Sequence, residues 1–207
     1  MNANRVQANV DFFADFLCPW CYLGWNALKQ AASEERERAA LTVIWRTFLI
    51  APDMPLEGKA RAEPQSEKTL AARQALIDGA HDLGVPLNLD AAARIPNTLR
   101  AHRLVHLASH YGEGEGVIDA VFNAYFIDGA PIDEIATLVG IGEAHGLDPQ
   151  ELAEALAIEN FSDLLGMHEA AVKIGMRGAP VAVFNRRAPI LGAQSVETYR
   201  EAIRAAR

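Results

Sequence analysis

Two cysteines separated by two residues, Cys18-Pro19-Trp20-Cys21, lie where a strand pattern gives way to a helix pattern. They are the only cysteines in the 207 residues. Residues 6–16 include a mostly apolar run and predict a strand, and residues 22–40 predict a helix. At such a junction the first thiol lies at a helix N-terminus, where peptide dipoles and free N–H groups favour a thiolate. The motif therefore predicts a redox-active dithiol.

The composition limits the class of protein to which this dithiol can belong. Hydrophobic residues make up 50% of the sequence, enough for a full core in one domain or in one domain with an insertion. The apolar runs are far shorter than the roughly 20 residues of a membrane-spanning helix. The net charge of −8 argues against a nucleic-acid or anionic-membrane partner. Residues 1–5 show no basic-then-apolar export signal, so we expect a cytoplasmic location.

The middle of the chain carries a long helical pattern. Residues 41–50 are β-branched and aromatic and predict a second, central strand, which completes a βαβ unit with the first strand and helix. Residues 56–68 are polar and predict a mobile loop. No strand pattern interrupts the region that follows. Its predicted helices lie near 69–83, 90–95, 97–111, 116–127, 133–145 and 149–157.

The last part of the chain returns to alternating elements. Residues 161–174 predict a helix, 181–184 a strand, 188–191 its antiparallel partner and 196–206 a final helix capped by Ser195. The order βαβ, helical block, αββα is that of an α/β protein with a thioredoxin-like fold and a large all-helical insertion. We predict that residues 1–52 and 161–207 form the two halves of this domain, and that residues 53–160 form the insertion.

Several stretches resemble the DsbA-like thioredoxin superfamily, its FrnE-like branch in particular. Residues 16–24, FLCPWCYLG, are similar to its active-site signature. The resemblance implies a thioredoxin-like fold with a helical insertion and a thiol–disulfide oxidoreductase activity. It also implies that Pro180, after Ala179, is a cis-proline facing the dithiol. The further matching stretches are 45–49 with 52–53, 97–98 with 101–104, and 178–180 with 192–194.

The same superfamily contains glutathione-linked relatives, the kappa-class transferases and the 2-hydroxychromene-2-carboxylate isomerases. They look similar through residues 97–102, but they usually carry serine at the position of Cys18 or lack the second cysteine. Both thiols are present here, which favours a redox reaction with protein or small-molecule thiols and disulfides. A glutathione-dependent isomerase or transferase and a non-catalytic peptide-binding protein are the alternatives. No bound cofactor is required, and glutathione would act as redox partner or co-substrate.

The motif assigns different tasks to its residues. Cys18 is expected to be the exposed nucleophile, and Cys21 to resolve the mixed disulfide. Pro19 and Trp20 should influence the pKa and the access of Cys18, and Trp20 either contacts substrate or packs on the domain. Asp15 either assists proton transfer with Cys21 or caps the active-site loop through backbone N–H groups.

The helical insertion is expected to overhang the dithiol and to form a largely apolar cleft, with Asn97, His102 and Gln194 as possible groove residues. His102, His106 and His110 recur every four residues, but no carboxylate or cysteine cluster accompanies them, so we predict no metal site. Glycines at positions 112, 114 and 116 follow a helix instead of a strand. That context does not fit a nucleotide-binding loop, and the run is predicted to be a linker.

Overall fold

The computed structural model of the protein describes residues 6–61 and 66–206, which form eight helices and six strands. The expectations for residues 1–5 and for positions 62–65 of the predicted loop lie outside the described residues. In chain order the elements are β1 (Val6–Ala14), α1 (Pro19–Glu35), β2 (Ala39–Thr47), β3 (Lys59–Ala60), α2 (Glu67–Leu83), β4 (Arg94–Ile95), α3 (Leu99–His110), α4 (Gly114–Phe126), α5 (Ile135–Ala144), α6 (Pro149–Ala157), α7 (Ser162–Lys173), β5 (Val181–Phe184), β6 (Ile190–Leu191) and α8 (Val196–Ala205).

One four-stranded sheet joins the two ends of the chain. Its strand order is β2-β1-β5-β6, with β1 parallel to β2 and antiparallel to β5, and β5 antiparallel to β6. This arrangement confirms the predicted α/β, thioredoxin-like architecture. The prediction that the second strand is central is wrong, because β2 lies at an edge and its Ile44 is 37% exposed. Between its buried first residue, Ala39, and the buried Trp45 and Thr47 near its end, the residues of β2 are partly or fully exposed.

The core continues from the sheet into the helical block. On β1 every second side chain is buried, as expected for a strand with one covered face. The ring of Phe16 stacks on Trp45 with centroids 4.8 Å apart, and Phe122 of α4 lies 4.9 Å from Phe16. Phe12 of β1 in turn contacts Trp25 of α1 at 5.8 Å. The insertion and the thioredoxin-like part therefore share one hydrophobic core.

The insertion is not entirely helical. A helix was predicted near 90–95, but β4 lies there and pairs antiparallel with β3, with Lys59 opposite Ile95. Ile95 precedes Pro96, and a residue before proline is disfavoured in the helical conformation. The predicted linker at residues 112–116 is also corrected, because Gly114 and Gly116 belong to α4. A Cβ on Gly116 would lie 2.8 Å from the His145 ring, so close packing explains this glycine.

Three helix ends carry residues that are typical of helix caps. Ser195 accepts a hydrogen bond from the Thr198 N–H at 3.2 Å, which confirms the cap of α8. Asp148 caps α6 through the Glu151 N–H at 2.8 Å. Gly84 ends α2 with φ of 66°, a conformation that favours glycine. None of the helices in the described ranges combines the length and apolar character needed to cross a bilayer.

A buried carboxylate links the first and last helices. Glu35, at the end of α1, is 1% exposed, and its Oε1 accepts hydrogen bonds from Arg204 Nη2 at 2.7 Å and Arg200 Nε at 3.3 Å. The hydrogen bonds from Arg204 and then Arg200 lower the pKa of Glu35 to about 2, against the opposing effect of burial. The carboxylate is therefore ionised at neutral pH and holds α8 against α1.

Acid should remove the stability that this carboxylate contributes. Its folded pKa of about 2 lies below the ordinary 4.5, so the contribution is complete above about pH 4.5 and is lost as the pH falls through about 2. We expect Glu35→Gln to lower Tm at neutral pH, and the difference from wild type to shrink across that window. Thermal unfolding followed by circular dichroism measures it, with the exposed Glu37→Gln as control. A pH-independent difference would contradict the assignment.

Candidate active site

The turn between β1 and α1 places the dithiol. The Asp15 carbonyl accepts the Cys18 N–H at 3.1 Å, and the Cys18 carbonyl accepts the N–H groups of Cys21 at 2.9 Å and Tyr22 at 3.2 Å. Cys18 is thus the N-cap residue of α1, and Pro19 occupies the first helical position, where its missing N–H is tolerated. The Cys18 sulfur therefore lies at the positive end of the helix dipole.

Both cysteines are free thiols in a mostly covered position. Cys21 is fully buried, and Cys18 is 5% exposed. The Cys18 Sγ donates to the Ala179 carbonyl at 3.7 Å. The expectation of an exposed nucleophile is therefore corrected: Cys18 is the more accessible of the two thiols, but it is buried and contacts the loop before β5 at the Ala179 carbonyl. Trp20, 38% exposed, is the member of the motif that faces solvent.

The two thiols have opposite acidities. A hydrogen bond from Cys21 to the Cys18 sulfur is the largest influence on Cys18, and with the backbone N–H groups of Cys21 and Trp20 it holds the Cys18 pKa below its ordinary value despite burial. Burial, followed by the hydrogen bond and charge of Cys18, raises the pKa of Cys21 well above its ordinary value. One thiol is therefore prepared as a nucleophile, and the other stays protonated.

The proline predicted to face the dithiol is Pro180, and the carbonyl of the residue before it accepts from Cys18. The peptide bond between Ala179 and Pro180 is cis, as the family resemblance implied. Pro180 lies directly against α1, because a Cβ built on Gly24 would be 3.0 Å from Pro180 Cγ and 3.5 Å from the Tyr199 hydroxyl. Gly24 is the last residue of the stretch that resembles the family's active-site signature, and this close approach explains why a glycine stands there.

Adding a methyl group at this contact should displace the proline. We expect Gly24→Ala to move Pro180 away from α1 by a few tenths of an ångström, to slow disulfide exchange about tenfold and to cost about 1–3 kcal/mol of stability, the range for overpacking. Exchange kinetics with a small disulfide, together with urea unfolding, test this. Gly140→Ala is the matched control, since a Cβ there meets no atom within 4 Å. Equal rates for Gly24→Ala and wild type would contradict the expected displacement.

Asp15 is buried beside the dithiol, and both of its carboxylate oxygens accept hydrogen bonds. Its carboxylate accepts hydrogen bonds from the Leu17 N–H at 3.2 Å, the Ile50 N–H at 2.8 Å and the Thr98 hydroxyl at 2.7 Å. Burial alone would raise its pKa, but His102 and then the Ile50 and Thr98 donors hold the Asp15 pKa below its ordinary value. A carboxylate that already accepts these hydrogen bonds is a poor proton acceptor. Of the two roles predicted for Asp15, the arrangement therefore favours capping of the active-site loop. In the sequence, the resemblance of residues 97–98 to the family was the one signal that could have indicated the contact between Thr98 and Asp15.

The predicted groove residues take different positions. His102 is fully buried, so it does not line an exposed groove, and its Nε2 lies 3.5 Å from Asp15 Oδ1. Asn97, 4% exposed, donates to the Met54 carbonyl at 2.7 Å and accepts the Leu99 N–H at 2.9 Å, which fixes the start of α3. Gln194 is half-buried and donates to the Leu191 carbonyl at 2.7 Å in the loop before α8.

An open cleft of about 680 Å³ begins at Ala179 and Pro180 and runs along β5 and β6. Ile174 and Leu191 on its walls are 74% and 65% exposed, so its surface is largely apolar. Within residues 6–61 and 66–206, no three histidine, cysteine or acidic side chains converge to hold a metal ion. The cleft adjoins the dithiol through the Ala179 carbonyl, which accepts from Cys18.

A mixed sheet, a dithiol at the start of the first helix and a cis-proline packed against that helix define a protein of the thioredoxin fold. The chain belongs to the DSBA-like thioredoxin domain family, whose model matches residues 9–204. No curated protein sequence matches the chain.

Solved structures share this fold over nearly the whole chain. A probable DsbA oxidoreductase from Streptomyces coelicolor has a TM-score of 0.81 and 26% identity, covering 96% of this chain and 89% of that one. A 2-hydroxychromene-2-carboxylate isomerase has a TM-score of 0.72 and 20% identity, covering 95% of both chains. The cytosolic disulfide reductase DsbM from Pseudomonas aeruginosa, solved with glutathione, has a TM-score of 0.67 and 19% identity, covering 95% of this chain and 98% of that one.

Proposed function

We propose that the protein is a thiol–disulfide oxidoreductase or isomerase acting through Cys18 and Cys21. The observation that carries this proposal is the placement of two free thiols one helical turn apart at the start of α1, with Cys18 at the N-cap and Cys21 fully buried. The Cys18 thiolate attacks a substrate disulfide, forms a mixed disulfide and releases one substrate thiol. Cys21 then gives up its proton and attacks the Cys18 sulfur, which releases the second substrate thiol. Two electrons pass from the dithiol to the substrate, and oxidation of a substrate dithiol is the reverse sequence.

Protein or peptide disulfides are the proposed substrates. The apolar cleft beside Pro180 gives an extended chain a surface next to the Cys18 sulfur, and the exposed Trp20 borders the same thiol. We propose a cytoplasmic location, with glutathione as the small-molecule redox partner and no bound cofactor. The similarity to a cytosolic disulfide reductase solved with glutathione supports this choice.

Two assays with the purified protein test the proposal. Turbidity from insulin reduction, with glutathione as reductant, reports reducing activity. Reactivation of scrambled ribonuclease reports isomerisation. We expect at least one assay to respond to the wild-type chain and neither to respond after Cys18→Ser. A folded protein with an intact dithiol that neither reduces, oxidises nor isomerises any protein disulfide would overturn the proposal.

A glutathione-dependent isomerase is the second candidate, because the structural similarity to a 2-hydroxychromene-2-carboxylate isomerase spans 95% of both chains. In that function Cys18 would activate or position glutathione for a small aromatic substrate, and Cys21 would be dispensable. Retention of glutathione-dependent isomerase activity by Cys21→Ser would favour this candidate. Peptide binding that is unchanged in the Cys18→Ser, Cys21→Ser double variant, without any turnover by wild type, would indicate a binding protein instead.

A further inference from the structure

His102 is fixed in one tautomer by its neighbours. The indole N–H of Trp45 donates to His102 Nδ1 at 3.0 Å, and the Thr47 hydroxyl lies 3.3 Å from the same atom. An indole nitrogen can only donate, so Nδ1 must be the acceptor and carries no proton. The neutral ring therefore has its hydrogen on Nε2.

The Nε2 side of the ring faces the active-site carboxylate. Nε2 is fully buried, lies 3.5 Å from Asp15 Oδ1 and has no closer hydrogen-bond partner in the described part of the chain. A buried N–H without a partner is unfavourable, and an ionised carboxylate is the strongest acceptor it can face. The Trp45–His102–Asp15 arrangement thus favours the ionised form of Asp15.

In the described part of the chain no lysine or arginine forms an ion pair with Asp15, whose one such contact is with His102. His106, on the same face of α3, bonds the Thr47 hydroxyl at 3.1 Å, and burial lowers its pKa to about 4, so it is neutral at neutral pH. On the α4 side the phenol of Tyr125 has a pKa raised by burial, and its hydroxyl accepts from Arg61 at 3.0 Å. Asp15 therefore keeps a net negative charge.

This charge lies next to the dithiol. The Asp15 carbonyl accepts the Cys18 N–H at 3.1 Å, and the carboxylate raises the pKa of both Cys18 and Cys21. A nearby negative charge destabilises the Cys18 thiolate, whereas a disulfide carries no charge and is unaffected.

We propose that His102 is a positioning residue that holds the ionised Asp15 carboxylate beneath the Cys18–Cys21 pair, and that this buried charge biases the couple towards its disulfide. The inference rests on the proposed function and adds the direction in which the fold sets the equilibrium. In the exchange considered, the dithiol and glutathione disulfide give the protein disulfide and two glutathione molecules, so two electrons and two protons leave the protein.

Equilibration with glutathione buffers between about pH 6 and pH 9 tests this inference. The dithiol fraction is measured by alkylation and mass spectrometry, and Cys18 ionisation by thiolate absorbance. We expect Asp15→Asn to shift the equilibrium constant about tenfold towards the dithiol, with the difference growing as Cys18 ionises, and to lower the Cys18 pKa. His102→Leu should shift it in the same direction by a smaller factor, because Asp15 loses a donor. His102→Gln keeps an acceptor for Trp45 and a donor for Asp15, and should restore the wild-type value.

Control variants separate a charge effect from general damage. Asp11→Asn removes a carboxylate of β1 that pairs with Arg46, and His110→Leu changes an exposed histidine of α3. Both variants should keep the wild-type equilibrium constant with glutathione. Circular dichroism checks folding, and Thr98→Val, which removes another Asp15 donor, replaces Asp15→Asn if that variant does not fold.

The outcomes distinguish the two proposals. The inference would be overturned if the folded variants of Asp15 (or Thr98) and of His102 had the wild-type equilibrium constant while the wild-type protein exchanges normally. The proposed function would then still stand. A shift towards the disulfide would also overturn it. A wild-type dithiol that does not exchange with glutathione or any protein disulfide would remove the proposed function, and the inference with it.

Discussion

Replacing Cys18 by serine should reduce disulfide exchange by at least about 10³-fold, because a hydroxyl at this position is not ionised and cannot attack sulfur. The fold should survive, since serine fills nearly the same volume and its hydroxyl can still donate to the Ala179 carbonyl and accept from the Cys21 thiol. Exchange with a chromogenic aromatic disulfide measures the rate, and urea unfolding measures stability. A Cys18→Ser variant that keeps most of the wild-type rate would show that another group is the nucleophile.

Cys21→Ser is the matched variant, and it should behave differently. The Cys18 thiolate can still attack, but the buried second sulfur that would release the mixed disulfide is absent. We therefore expect a covalent adduct between Cys18 and the substrate, visible by mass spectrometry and reversed by added thiol. Cys21→Ala would in addition remove the hydrogen bond to the Cys18 sulfur, raise the Cys18 pKa and slow the first attack at neutral pH.

The site elements that could be predicted from the sequence are those with local signatures. A C-x-x-C pair after a strand pattern located the dithiol, and the family resemblance supplied the cis bond at Pro180, which the structure confirms. Asp15 was identified by its distance of three residues from Cys18. Each of these positions is specified by neighbours in the chain or by a motif.

The features that could not be predicted correctly from the sequence depend on contacts with distant parts of the chain. β2 has the composition of a central strand, but β5 pairs with the other side of β1 from more than a hundred residues away and leaves β2 at the edge. His102 has no local feature that distinguishes a buried ring from a groove residue, because its burial comes from Trp45 of β2 and Asp15 after β1. The same reasoning applies to Gly24, whose neighbour Pro180 is provided by the far end of the chain.

Phe122→Ala should give the largest loss of stability, about 3–5 kcal/mol, because the ring is fully buried and lies against both parts of the molecule. Its contacts are Phe16 at 4.9 Å, Tyr22 at 5.7 Å and Trp45 at 6.0 Å, which connect α4 to the active-site turn, α1 and β2. Since these rings belong to one core, the variant should still unfold in a single transition at a lower urea midpoint.

Urea unfolding followed by both tryptophan fluorescence and far-UV circular dichroism tests that expectation. Fluorescence reports on the buried indoles Trp25 and Trp45, whereas circular dichroism is dominated by the helices, so a shared core requires that the two curves coincide. Tyr111→Ala, at a side chain that is 69% exposed, is the control and should stay within about 0.5 kcal/mol of wild type. Two separated transitions in Phe122→Ala would mean that the helical insertion and the thioredoxin-like part are stabilised independently, and that the active site does not depend on the insertion for its rigidity.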